Sequence, residues 1–200
     1  MTPSVKPMTS GQTDKAVANY RAMLEKHAPE FESEAVQAVL GRPDLASKMF
    51  AVFRALVEAL SNLIIHIVKV NRGRTPQEAL DATGRVQYTD KDVVATMPRG
   101  EGEEAEVIFF NIARFVTNAE LDQEYELRGL KPADVYSLAA VNEADRDFAK
   151  EKPNGTQWKD AEGKYCFATF RQWGDDERRV SVYRDSHDWC DGWWFAGLRK

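Results

Sequence analysis

The chain has 200 residues, of which 43% are hydrophobic and 30% are charged. This length and composition suit one globular domain, or a modest domain with a helical appendage, and exclude a wholly disordered chain. The net charge of −5 disfavours non-specific binding to nucleic-acid backbones or anionic membranes. Because residues 101–200 hold 14 Lys and Arg against 21 Asp and Glu, we expect a basic partner to meet the C-terminal half.

The sequence favours a cytoplasmic location. Residues 1–7 contain Lys6 and two prolines and are not followed by the apolar segment of a secretory signal. The most apolar window, residues 60–70, is too short to cross a bilayer and contains polar side chains. The two cysteines, Cys166 and Cys190, are too few for a disulfide scaffold and fit a reducing compartment. No membrane contact is expected.

The N-terminal residues have the pattern of short amphipathic helices. Residues 1–12 are rich in Pro, Ser, Thr and Gly and predict a disordered tail. From Thr13, apolar residues recur at three- and four-residue spacings in three segments, of which the second starts near Glu32 and ends at Gly41 and the third ends near Leu60. Residues 13–62 therefore predict a helical extension, which we expect to mediate homo-oligomerisation or docking to another protein.

Residues 63–200 mix strand and helix signals and predict the α+β class. Segments 63–70 and 106–112 read as strands, and segments 165–173, 179–184 and 193–198 read as three C-terminal strands. Thr75 and Thr117 each stand three residues before a glutamate and predict helix starts, and a further helix is predicted after Pro132. Residues 85–98 are interpreted as a connecting segment.

All five tryptophans lie in the last 43 residues: Trp158, Trp173, Trp189, Trp193 and Trp194. Tryptophan offers a large contact area and one N–H donor, so this clustering is typical of a recognition surface. The alternative is that a small β unit needs bulky side chains to close its core. Because neighbours on a strand face opposite sides, one of Trp193 and Trp194 is predicted to lie outside the local core.

Residues 183–192 combine hydrogen-bond donors, acceptors, both charge signs and aromatic rings. This inventory is typical of an adaptable recognition loop, although Asp and Ser are also common in a merely solvated loop. We therefore predict a non-catalytic ligand-binding surface whose candidate residues are Tyr183, Asp185, Ser186, His187, Asp188, Trp189, Cys190, Asp191, Trp193 and Trp194.

Catalysis and nucleic-acid binding have weaker support. A small enzyme could use His187 with Cys190, but spacings typical of metal ligands are absent from the sequence, and no cofactor is expected. The other histidines, His27 and His66, are expected to be partly buried. Four arginines around the connecting segment lack the pattern of a phosphate-binding motif and are interpreted as a solvated face: Arg72, Arg74, Arg85 and Arg99.

Three segments carry a resemblance to known proteins: residues 75–84 (Thr-Pro-Gln-Glu-Ala-Leu-Asp-Ala-Thr-Gly), residues 126–133 (Glu-Leu-Arg-Gly-Leu-Lys-Pro-Ala) and the ending 193–200 (Trp-Trp-Phe-Ala-Gly-Leu-Arg-Lys). In these, the chain resembles a group of uncharacterised bacterial and phage-associated proteins over about two thirds of its length. That group implies no activity. It leaves open a third interpretation, a structural module of a phage or mobile element.

A remoter likeness involves residues 115–120, the turn at 128–133 and the terminal Phe-Ala-Gly-Leu-Arg segment. Here the chain resembles the C-type-lectin fold in its formylglycine-generating-enzyme form, on which the variable proteins of diversity-generating retroelements are built. The resemblance implies a rigid scaffold with variable residues near the C-terminus. Residues 183–188 and 190–192 all belong to the residue types that adenine-directed mutagenesis yields, whereas Trp189 between them does not. Cys166 and Cys190 do not match the copper-binding cysteine pair of the enzyme branch in context.

Overall fold

A computed structural model describes residues 7–174, 176–184 and 188–200. The chain divides into two units, residues 1–54 and residues 55–200. The first unit is helical. Helix α1 spans Ser10–His27, a short 3-10 turn spans Ala28–Glu30, helix α2 spans Ser33–Leu40, and helix α3 spans Leu45–Ala59 across the division between the units.

Helix α1 begins at Ser10, three residues before the predicted start at Thr13. The reason is a capping box, in which the Thr9 hydroxyl accepts from the Gln12 backbone N–H and the Gln12 side chain accepts from the Thr9 backbone N–H. Residues 7–54 contain no buried side chain. Large apolar side chains are exposed on all three helices, including Val17, Tyr20, Met23, Leu24, Val36, Val39, Leu40, Met49, Phe50, Val52 and Phe53.

The second unit contains a mixed sheet that has eight strands among the described residues. The strands are β1 (Ile64–Lys69), β2 (Val86–Thr89), β3 (Glu104–Asn111), β4 (Leu130–Pro132), β5 (Asn154–Lys159), β6 (Tyr165–Trp173), β7 (Glu177–Arg184) and β8 (Trp194–Arg199). Their order across the sheet is β1-β3-β8-β5-β6-β7-β2, and β4 pairs with the second half of β8. The α+β class is therefore confirmed.

Side chains alternate between the two faces of this sheet, and each face has its own apolar core. On the first face, Val107 and Phe109 of β3 pack with helices α4 (Pro76–Asp81), α5 (Lys91–Val94), α7 (Val135–Ala144) and α8 (Phe148–Glu151). On the second face, Ile108 and Phe110 pack with helix α6 (Asn118–Leu127) through Leu121. Helices α4 and α6 begin at the predicted threonines, each with a capping box.

The C-terminal strand β8 lies inside the sheet and pairs with three other strands. It pairs antiparallel with β3 on one side, and on the other it pairs first with β5 and then with β4. Gly197 allows this crowding, because a Cβ there would lie 2.9 Å from Leu130 Cδ1. The terminal Trp-Phe-Ala-Gly-Leu-Arg segment is thus a packing element of the fold.

Helix α7 starts at Val135, after Asp134, and so confirms the helix predicted beyond Pro132. Two local predictions were wrong. Residues 85–98 are not only a connection, since they contain β2, which runs parallel to β7, and α5, which the Asp90 side chain caps. Strand β8 begins at Trp194, one residue later than predicted. These elements are short, and sheet pairing decides their limits rather than local propensity.

The arginines interpreted as a solvated face are partly internal. Arg72 donates to Asp134 Oδ1 at 2.8 Å and to the Gly102 carbonyl at 2.6 Å, and only 12% of its side chain is exposed. Arg85 is 6% exposed and lies over the Phe170 ring, and burial lowers its pKa to about 10. The two side chains are internal because each one contacts residues that are distant in the sequence. No helix in the described part of the chain is both long and apolar enough to span a bilayer.

Candidate functional site

Strands β6 and β7 place three side-chain pairs on the second face of the sheet. Their antiparallel register sets Phe167 opposite Tyr183, Thr169 opposite Ser181, and Arg171 opposite Arg179. The intervening residues, such as Ala168 and Val182, are buried in the core of the first face. Along the two strands, an aromatic pair, a hydroxyl pair and a guanidinium pair therefore follow one another at intervals of about 7 Å.

All of these side chains except Arg179 line a pocket of about 140 Å³ together with residues 188–190 and Trp193. Its aromatic wall is one connected set of rings. Phe167 makes an edge-to-face contact with Tyr183 at a centroid distance of 4.3 Å and another with Trp189 at 5.5 Å. Trp189 meets Trp193 in the same way at 5.7 Å. Such contacts stabilise the rings in fixed orientations.

The base of the pocket is polar. Thr169 and Ser181 are each 6% exposed, and neither hydroxyl makes a hydrogen bond to any part of the chain that the structure describes. Both residues line the pocket. Neither oxygen is among the fully buried polar atoms that lack a partner, which in the described residues are Arg85 Nε and Arg128 Nε, so both hydroxyls are open to the pocket. The pocket therefore offers two donor and acceptor groups to an occupant.

The guanidinium pair, Arg171 and Arg179, places two like charges on neighbouring strands. Arg179 is neutralised by Glu177, whose Oε1 lies 2.7 Å from its Nη2, and its guanidinium lies 3.8 Å above the Tyr88 ring. Arg171 lies 4.3 Å above the Trp173 ring. Within the described ranges it has no carboxylate at salt-bridge distance, and it lines the pocket. Arg171 thus gives one end of the pocket an uncompensated positive charge.

Trp189 is held rigidly as a wall of the pocket. Its backbone bridges to Val116 through two hydrogen bonds, and its indole N–H donates to Asn118 Oδ1 at 2.9 Å and to Gln157 Oε1 at 3.2 Å. The ring lies against Gly155, where an added Cβ would stand 3.2 Å from it and 3.0 Å from the Ala168 carbonyl oxygen. With 7% of its surface exposed, Trp189 is a structural side chain that also shapes the site.

The structure brings five of the predicted site residues together at this pocket: Tyr183, Asp188, Trp189, Cys190 and Trp193. Asp191 is exposed and does not line it. Trp194 lies on the opposite face from Trp193, as predicted, but each packs against the core of its own face, so neither lies outside a core. Asp185, Ser186 and His187 lie outside the described residues, as does the proposed pairing of His187 with Cys190.

Sequence reasoning missed four lining residues: Phe167, Thr169, Arg171 and Ser181. Their alternation with buried neighbours is visible in the sequence and correctly assigns Ser181 to the same face as Tyr183. The missing information is the register between the strands, which depends on contacts distant along the chain.

Two wider depressions each contain an arginine that is paired with a carboxylate. One of about 780 Å³ lies beside Arg74, whose Nη1 is 2.6 Å from Glu143 Oε2. The other, of about 630 Å³, includes Asp188 and Arg184, and Arg184 is paired with Asp160 at 2.8 Å. That hydrogen bond from Arg184 is the main reason that the pKa of Asp160 is lowered. Neither depression presents the unpartnered hydroxyls of the smaller pocket.

Metal-binding chemistry has no cluster to support it in the described residues, where no three His, Cys, Asp or Glu side chains converge. Both cysteines are free thiols; Cys166 is buried and Cys190 is exposed. Burial raises the pKa of the Cys166 thiol, which opposes a nucleophilic role for it. No protein-family model, curated protein or solved structure matches the chain.

Proposed function

We propose that this protein is a non-catalytic binding protein that recognises a ligand or a partner's side chain in the pocket between Phe167 and Arg171. The observation that carries the proposal is the pair of hydroxyls on Thr169 and Ser181, which lack partners in the described structure and open onto an aromatic pocket although their residues are only 6% exposed. A ligand that supplies hydrogen bonds there satisfies groups that the described fold leaves open.

The rigidity of the frame supports a binding role. Phe167, Thr169 and Ser181 lie on central parts of paired strands, and Trp189 is fixed by both backbone and side-chain hydrogen bonds. Binding to preorganised groups loses less conformational entropy than binding to a loop that must become ordered. At about 140 Å³, the pocket has room for one ring-sized group, comparable to an apolar cavity that holds benzene.

The finer part of the proposal is a C-type-lectin-like scaffold whose residues 183–192 are diversified by a retroelement. It is supported by the position of exposed Tyr183, Asp188 and Cys190 around a pocket whose Trp189 is held inward. A nearby imperfect copy of the terminal coding stretch, differing chiefly at adenines and beside a reverse-transcriptase gene, is the expected genomic sign. If the gene has no such repeat, diversification is excluded while the binding proposal stands.

Binding at the pocket can be tested by protein-observed NMR with phenol, which combines one ring with one hydroxyl. The expected result is saturable shifts of the amides at 167–171 and 181–183. Ser181→Leu places a larger apolar group in the pocket and should abolish these shifts, whereas Ser61→Leu, at an exposed position, should not. Shifts confined to other regions, or unchanged in Ser181→Leu, would contradict the proposal.

The enzymatic alternative, centred on His187 and Cys190, is favoured only by the exposure of Cys190 at the pocket. Iodoacetamide labelling as a function of pH separates the two functions. A binding protein is expected to show no labelling of Cys190 that depends on His187. Rapid labelling below pH 6 that is lost in His187→Ala would support catalysis instead.

For the helical unit we propose self-association with a second copy of the chain. Residues 7–54 bury no side chain, and short helices gain most of their stability from packing an apolar face. Residues 1–54 carry seven Lys and Arg against six Asp and Glu, so like units do not repel strongly. A cytoplasmic setting remains part of the proposal because the two cysteines are unpaired.

A further inference from the structure

The pocket has a polarity that runs along β6 and β7. Its aromatic end, at Phe167, is next to Asp188, which also lines the neighbouring depression with Tyr165 and Arg184. Its middle contains the hydroxyls of Thr169 and Ser181, and its other end contains Arg171. An occupant therefore meets a negative charge at one rim and a positive charge at the opposite end.

The positive charge at the Arg171 end of the pocket destabilises the fold when no ligand is bound. Arg171 and Arg179 stand directly opposite each other, and like charges in that arrangement destabilise a strand pair. Glu177 compensates Arg179, while Arg171 has only the face of Trp173 among its described contacts. A guanidinium held on an aromatic ring next to open hydroxyls is a favourable partner for an oxyanion.

The hydroxyl pair adds two hydrogen-bonding groups beside Arg171. Both residues are only 6% exposed, both hydroxyls are open to the pocket, and both can donate a hydrogen bond. An oxyanion located between them and Arg171 accepts from all three groups. A neutral or cationic group there leaves the charge of Arg171 uncompensated.

We propose that the pocket binds a small aromatic oxyanion, one ring with a carboxylate or phosphate, and this rests on the binding function proposed above. The ring packs against Phe167 and Trp193, and the anionic group lies between the hydroxyls and Arg171. Asp188 at the aromatic rim repels the anion from that end, so the ligand has one orientation. The volume of about 140 Å³ limits the bound part to about one ring.

Calorimetric titration of the full chain with benzoate, phenyl phosphate and the neutral isostere benzamide tests this inference. Benzoate or phenyl phosphate is expected to bind at least about tenfold more tightly than benzamide, because a charged hydrogen bond exceeds a neutral one. Whichever anion binds more tightly identifies the group as carboxylate or phosphate. Arg171→Gln should reduce anion affinity to that of benzamide, while Arg199→Gln, at an exposed site, should leave it unchanged.

The outcomes separate this inference from the underlying function. Equal affinity for benzoate and benzamide, with both abolished by Ser181→Leu, overturns the anion preference but leaves the binding function standing. An anion preference that survives in Arg171→Gln also overturns the inference. Absence of binding by all three probes at millimolar concentration overturns both. Thermal melting of each variant shows that an observed loss of affinity is not a loss of folding.

Discussion

Thr169 and Ser181 face each other across strands β6 and β7, and their hydroxyls open onto the pocket without a hydrogen-bond partner in the described structure. Elsewhere in the same sheet, the buried hydroxyl of Thr156 donates to the Ala133 carbonyl at 2.7 Å. The two threonines are thus matched in burial and strand context but differ in what their hydroxyls do.

This difference gives a prediction about stability. Thr169→Val removes a hydroxyl that contributes no internal hydrogen bond, so the free energy of unfolding should change by less than about 0.5 kcal/mol or rise. Thr156→Val leaves the Ala133 carbonyl unsatisfied and should cost about 1–3 kcal/mol. Urea denaturation measures both. Equal losses in the two variants would show that Thr169 has an internal partner.

The two roles of tryptophan can be distinguished by substitution. Trp189→Phe removes the N–H that Asn118 and Gln157 accept and leaves space in the second core, so we expect a loss of roughly 2 kcal/mol or more. Trp173→Phe changes a side chain that is 50% exposed and should alter stability by less than about 0.5 kcal/mol. A neutral Trp189→Phe would mean that residue 189 is not an anchor of the fold.

His66 should make stability depend on pH. Its ring packs against Phe109 and Phe148, and burial lowers its pKa from 6.5, opposed only in part by Asp145. Because the folded form binds a proton less readily than the unfolded form, the contribution is fully present above pH 6.5 and is lost as the pH falls through the lowered pKa. His66→Gln should remove this component from urea-denaturation curves measured between pH 7.5 and 4.5. An unchanged pH dependence in that variant would exclude His66 as its source.

The helical unit should associate. We expect light scattering to give a mass that is a multiple of 22.7 kDa and that falls on dilution. Tyr20→Glu combined with Leu24→Glu places charges on the apolar stripe of α1 and should yield the monomer. Lys15→Glu, on the same helix, is the control and should not dissociate the assembly. A wild-type chain that is monomeric at every concentration would contradict the proposal.

The sequence predicts those parts of the fold whose signals are local. The capping boxes at Thr75 and Thr117 and the alternation around Val180 and Val182 are each contained within one element, and the structure confirms them. Strand β5 was not predicted, because its Asn-Gly start is typical of a turn and its stability comes from β6 and β8 on either side.

The pocket was only half predictable for the same reason. Tyr183 and Trp193 are visible in the sequence as a cluster of aromatic and polar residues, but their proximity to Thr169 and Arg171 depends on strand register. The sequence predicts Trp189 as a ligand-binding residue, whereas its indole N–H donates hydrogen bonds within the fold. The amino-acid composition does not distinguish a tryptophan that contacts a ligand from one that stabilises the fold.

The most direct test of the binding function is a crystal structure of the full chain grown with phenol. The account predicts one phenol ring beside Phe167 and Trp193, with its oxygen about 2.5–3.0 Å from the Thr169 or Ser181 hydroxyl. A structure in which side chains of residues 185–187 fill the pocket and bond both hydroxyls would contradict it.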